Sequence, residues 1–154
     1  MSIWEMIEGF SPEENWGNSK KLNGMLLLVI SAVRKLFREK DPDAVFIVNN
    51  AYATKGHAPK SQHYRGNAMD FHIKTSLPFW KQVLIITDIL TELQIADRVG
   101  LGIYPDWNSP GFHLDVRGSK ARWGKIDEEP GYVSFEDAFF KARKGFAPIK
   151  KKGG

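Results

Sequence analysis

Two short stretches alternate between apolar and ionisable residues, and they restrict the fold more than any other feature of the chain. In 67–73, Ala68, Asp70 and His72 fall at one parity, and Met69, Phe71 and Ile73 at the other. In 111–117, His113, Asp115 and Arg117 share a parity against Phe112, Leu114 and Val116. Successive side chains of a β-strand point to opposite faces. Each stretch therefore reads as a strand with one face in a core and the other carrying ionisable groups.

The rest of the chain supplies partners for that apolar face. Ser11-Pro12-Glu13-Glu14 reads as a helix start, with Ser at the cap, Pro at the first helical position and acids in the first turn. A helix is expected over 20–39, where Leu22, Leu26, Val29, Val33, Leu36 and Phe37 fall near a 3.6-residue period. Asp41-Pro42-Asp43 breaks it. The β-branched run 44–49 reads as a buried strand, and 53–62, with Gly56 and Pro59, as a loop. A second long helix is expected over 77–93, a strand over 99–104, and a short helix over 134–144 opened by Ser134 with Asp137 three residues on. Strands and helices alternate too irregularly for a doubly wound parallel sheet. The expected fold is α+β, a single domain with a small, mostly antiparallel sheet packed against helices.

Composition narrows the chemistry. A chain of 154 residues can bury a core without disulfides or structural metals. It has no cysteine, which removes disulfide scaffolds, thiolate metal sites and cysteine nucleophiles, so any metal must be held by His, Asp, Glu or water. The formal net charge of +4 owes part of its excess to Lys150, Lys151 and Lys152. The stretch 148–154 reads as a flexible basic tail after a domain covering 1–147. The first ten residues contain Glu5 and Glu8, and lack a basic start or a long apolar run. The longest apolar stretch, 25–30, falls well short of the roughly 20 residues that span a bilayer. The expectation is a chain made in the cytoplasm without a signal peptide, not inserted in a membrane, and brought to any extracellular target by release or delivery.

The ionisable faces are where chemistry can sit. His63 lies seven residues before Asp70, and if the two strands are neighbours, His63, Asp70 and His113 can converge. Two imidazoles and a carboxylate suit Zn²⁺, and three protein ligands leave a position for water, as in catalytic rather than structural sites. Spacing alone leaves a second reading open, in which the same residues are hydrogen-bonded polar groups at a sheet edge.

The motifs carry a resemblance. Ser61-Gln62-His63-Tyr64-Arg65-Gly66-Asn67-Ala68-Met69-Asp70 matches S-x-H-x-x-G-x-A-x-D. This resembles the first metal-binding motif of the zinc D-Ala-D-Ala carboxypeptidase and peptidoglycan endopeptidase family, whose fold is shared with the hedgehog signalling domain. Gly102-Ile103-Tyr104-Pro105, Gly111-Phe112-His113-Leu114-Asp115-Val116-Arg117 and Arg122-Trp123 follow in the order of a second motif, found in its phage-type and small bacterial members. The resemblance spans roughly residues 10–123. It implies a hedgehog-like fold, a Zn²⁺ cofactor held by His63, Asp70 and His113, and hydrolysis of peptidoglycan stem peptides as a carboxypeptidase or endopeptidase, possible as a phage lysis enzyme. Gly66 would permit the turn between ligands, Ala68 would leave room beside the metal, and Ser61 and Gln62 would support the loop.

The chain departs from that family twice. Pro110 stands where many members place an acidic general base, which leaves Asp115 as the first substitute and Asp106 as the second. Ala53 follows Tyr52 where members tend to carry an arginine, and the cationic stand-ins are Arg65 first, then Lys60, His57 and Arg117. His57 reads as an exposed loop residue and His72 as a sheet-face residue; Tyr104, Trp107 and Trp123 read as groove or packing aromatics. A non-catalytic zinc-containing wall- or partner-binding module is the alternative function. No helix carries a basic reading face, so nucleic acid is not an expected partner, and a monomer is expected.

Overall fold

The computed structural model describes residues 1–143; the basic tail at 148–154, and Lys144 at the end of the last expected helix, lie outside the described residues. In chain order the elements are helix α1 (Ile3–Met6), a 3-10 turn (Ser19–Lys21), α2 (Gly24–Lys40), β1 (Val45–Asn50), a second 3-10 turn (Gln62–Arg65), β2 (Ala68–Lys74), α3 (Phe79–Glu92), β3 (Gly100–Tyr104), β4 (Gly111–Asp115), β5 (Ala121–Gly124) and α4 (Phe135–Ala142). The protein is thus α+β, built on one five-stranded sheet in the order β1-β2-β4-β3-β5. The sheet is mixed: β1–β2, β2–β4 and β3–β4 pair antiparallel, and β3–β5 pair parallel. Among the described residues no helix is long and apolar enough to cross a membrane.

The apolar parities of the strands make the core. Phe46, Met69, Phe71, Leu101, Ile103, Phe112 and Leu114 are all buried. Phe71 lies between Phe46 and Phe112, with ring centroids 5.5 and 5.3 Å away and both pairs nearly parallel. Phe37 of α2 closes one end of this aromatic row edge-on at 5.5 Å, and Phe79 of α3 closes the other at 5.0 Å. On α2, Leu26, Val29, Val33 and Phe37 are buried, as the periodicity requires, while Leu22 precedes the helix and Asn23 caps it through Met25 N–H. Pro78 is the cap of α3 and not part of its first turn.

Three elements differ from the sequence expectation, the first being the short helix α1, which has no expected counterpart. Ser11 to Glu14 forms a turn, not a helix: Ser11 N–H donates to the Glu14 carboxylate at 2.7 Å, but the Ser11 carbonyl is taken by the Trp16 indole N–H at 2.7 Å. Gly17, at φ +79°, then turns the chain away before a helix can nucleate. Strand β5 has no expected counterpart. It is four residues long, and its Arg122 is satisfied by the carbonyls of Ala96, Val99 and Ala121, so an arginine is accommodated on the sheet margin.

Candidate metal centre

The strand registers draw one transverse row across the face opposite the core. Asn50 pairs with Asp70, Asp70 with His113, His113 with Gly102, and Gly102 with Trp123. Directly opposed residues share a face, so Asp70 and His113 meet because β2 and β4 are neighbours in this register. His63 arrives from outside the sheet, on the 3-10 turn that runs into β2. Ser61 caps that turn by accepting from His63 N–H at 3.2 Å, and Gly66 ends it at φ +70°. The Gly66 Cα also abuts the Lys21 carbonyl so closely that a Cβ has no space there.

The result is a cluster in which one ligand atom each from His63, Asp70 and His113 lies within 4.8 Å of the others. His63 Nε2 is 3.2 Å and His113 Nδ1 3.0 Å from Asp70 Oδ1. The outer ring nitrogens set the tautomers. His63 Nδ1 lies 2.6 Å from the Ala51 carbonyl oxygen, which can only accept, so Nδ1 donates and Nε2 turns its lone pair inward. His113 Nε2 lies 2.7 Å from Asp115 Oδ2, so Nε2 donates and Nδ1 faces inward. Two lone pairs and a carboxylate oxygen thus converge on one point, an arrangement that a cation completes. Outer hydrogen bonds of this kind orient metal-binding histidines. These residues therefore can hold a metal ion.

The electrostatics agree. A proton on the inward nitrogen of His113 or His63 takes the cation's place: the hydrogen bond it then gives Asp70 outweighs burial, which alone would raise the carboxyl, and brings its pKa down to about 2. Burial disfavours the charged form of His113, yet the carboxylates of Asp115 and Asp70 on either side raise its pKa. Asp115 is fully buried, and the hydrogen bonds from Arg117 and His113 overcome that burial and hold its carboxyl below the ordinary range.

The cluster opens into a cleft of about 460 Å³ walled by Lys60, Ser61, Tyr104, Arg117, Trp123 and Tyr132 among others. The other candidates fall on both sides of that wall. Asp115 stands behind His113 and not in the cleft: Oδ1 accepts from Arg117 N–H and Nε–H, and Oδ2 from His113 Nε2 and Arg117 Nη2. Both oxygens are engaged and the carboxylate is fully buried, so in this structure Asp115, the first candidate for the base, braces His113 and does not line the cleft. Asp106 is turned toward the 126–129 loop, accepting from Asp127 N–H at 2.8 Å and facing Lys141. Arg65 is exposed and outside the cleft wall, because the turn it ends points it away. His57 is not a loose loop residue: it stacks on His63 with centroids 4.1 Å apart, and its Nε2 lies 2.9 Å from Asn50 Nδ2. Burial, then the neighbouring His63, lowers its pKa. Ala53 contributes its backbone, donating to the His63 carbonyl at 3.3 Å. His72 continues the sheet face beyond Asp70, with Nδ1 2.7 Å from Asn49 Oδ1.

Sequence reasoning placed Gly102 in the second motif but gave neither it nor Gly100 a role. Gly100 and Gly102 alternate against buried Leu101 and Ile103, and this parity is the signal that was available. A Cβ at Gly102 would stand 2.6 Å from the Trp123 ring, and one at Gly100 2.5 Å from Asp115 Oδ2. Gly102 thus makes room for an indole that leans on His113, with centroids 5.0 Å apart. Gly102→Ala should displace that indole and lower stability by about 1–3 kcal/mol, the usual cost of overpacking. Thermal melting and tryptophan fluorescence measure it, and an unchanged melting temperature would mean the indole moves aside freely.

No protein-family model, curated protein or solved structure matches this chain.

Proposed function

We propose that this protein is a zinc-dependent peptidase that cleaves the stem peptides of bacterial peptidoglycan, with a hedgehog-like fold. The observation that carries the reading is the convergence of His63 Nε2, Asp70 Oδ1 and His113 Nδ1 at the floor of an open cleft. The motif residues that resemble the zinc D-Ala-D-Ala carboxypeptidase and endopeptidase family are the residues that converge. A nitrogen, nitrogen, oxygen set with no thiolate suits zinc. Zinc held there supplies Lewis acidity, polarising a carbonyl and acidifying a water.

The chain's own residues do the rest. The Ala51 carbonyl and the Asp115 carboxylate keep the two imidazoles aimed inward. His57 is the cleft imidazole outside the ligand set, and the Asn50 amide N–H given to its Nε2 fixes its orientation beside His63. Of the basic wall residues, Arg117 is paired with Asp115, and the exposed Lys60 is the one that favours an acidic stem peptide.

The buried state of Asp115 and the proline at 110 favour a second reading, a zinc-containing module that binds cell wall or a partner without cutting. One experiment separates the two. Purified peptidoglycan is incubated with zinc-loaded and chelated protein, and released fragments are identified by mass spectrometry. Zinc-dependent cleavage at a stem-peptide bond is expected. Full activity after exhaustive chelation overturns the zinc reading; one bound zinc with wall binding and no cleavage selects the module.

A further inference from the structure

Hydrolysis of an amide builds negative charge on its carbonyl oxygen, and a preorganised donor beside that oxygen is worth about 10²- to 10³-fold in rate. With Ala53 at the position of the family's arginine, the cleft needs another donor. The four cationic stand-ins are poorly placed for it. Arg117 spends Nε and Nη2 on Asp115. Lys60 is exposed, and Arg65 lies outside the cleft. His57 lies flat on His63 with Nε2 against Asn50.

We propose that the Tyr104 hydroxyl is the donor to the scissile carbonyl oxygen; this rests on the peptidase reading above. Tyr104 is two residues beyond Gly102 on β3, on the face that carries His113, and it lines the same cleft as the three ligands. Its ring is held by stacking on Trp107, with centroids 4.2 Å apart and planes 15° from parallel. Its oxygen accepts from the Trp123 indole N–H at 3.0 Å. An indole N–H can only donate, so this bond occupies a lone pair of the phenol and leaves the phenol's proton to donate elsewhere. Trp123 is itself fixed, by His113 on one side and the Arg117 guanidinium 5.2 Å from its ring. The Tyr132 hydroxyl also lies near Tyr104, and Tyr132 lines the cleft and is 68% exposed. Burial keeps the phenol protonated at neutral pH. Tyr104 keeps its proton throughout; it lends a hydrogen bond that strengthens as the oxygen becomes negative.

The test uses the zinc-loaded full chain, a stem peptide, and a phosphinate analogue that puts a tetrahedral, negatively charged centre in place of the scissile amide. Tyr104→Phe removes only the hydroxyl. It should lower kcat about 10²- to 10³-fold and weaken phosphinate binding by a similar factor, with KM, zinc stoichiometry and melting temperature little changed. Trp123→Phe, which removes the orienting N–H, should lose less in both measures. If Tyr104→Phe keeps kcat and phosphinate affinity within a factor of about two, the donor role is overturned and the peptidase reading stands. If the wild type cleaves no stem peptide but Tyr104→Phe still weakens the phosphinate, the peptidase reading fails and the scissile carbonyl falls with it; the hydroxyl then donates only to an anionic ligand. If the wild type neither cleaves the peptide nor binds the phosphinate, both fall.

Discussion

Asp70→Ala should strip the protein of its metal and reduce stem-peptide cleavage to background while leaving the fold in place. Asp70 Oδ1 is the atom within reach of both His63 Nε2 and His113 Nδ1, so its removal leaves two imidazoles with no anionic ligand between them. Zinc gains much of its affinity from such a charge, and two neutral nitrogens alone are an incomplete site. The core does not depend on this carboxylate, because Met69 and Phe71 on either side of it point into the opposite face and are fully buried. Metal content after gel filtration, zinc calorimetry and product release together measure the effect. His63→Ala and His113→Ala should behave alike. Retained stoichiometric zinc in Asp70→Ala would show that other groups hold the ion, and a collapsed circular dichroism spectrum would show that the aspartate is structural.

Asp115→Ala should be the most destabilising change at the site and should also weaken the metal. Removing one partner of a buried ion pair costs about 3–5 kcal/mol, reduced here to about 2–3 because the Arg117 side chain keeps contact with water. The variant also leaves His113 Nε2–H without its acceptor, and loss of such an outer partner lowers metal affinity about 10- to 100-fold. Asp115→Asn is the discriminating variant. It retains an acceptor for His113 but loses the charge-assisted pair with Arg117. If Asp115 only positions His113, zinc affinity and turnover should fall together in this variant. If it were the general base, zinc affinity would stay whole and turnover alone would collapse.

Much of this protein is legible from its order of residues because the deciding patterns are local. The parity of 67–73 and 111–117 places Met69, Phe71, Phe112 and Leu114 in the core, and Asp70 and His113 on the other face, since a strand's period of two admits no other division. The spacing of His63 and Asp70 likewise survives as a cap, a 3-10 turn and a glycine with positive φ, all within eight residues. The false helix at Ser11 and the missing strand at 121–124 mark where local pattern ends. Each is decided by a tertiary partner, the Trp16 indole, five residues on and seated between Trp4 and Phe10, in the first case and the β3 backbone in the second.

The roles of the site residues lie further beyond the sequence. Parity puts Asp115 beside His113, but only the folding back of Arg117, and the space at Gly100, turn it from a group facing substrate into a buried brace. Tyr104 and Trp107 are three residues apart in the chain, yet Trp123, which orients the Tyr104 hydroxyl, is nineteen residues away. It reaches Tyr104 because β5 runs parallel to β3 and sets Trp123 opposite Gly102. Apolar alternation specifies which face a residue takes, because that depends on its own backbone. Which residue meets which on that face depends on strand order and register, and these are set by the packing of the whole core.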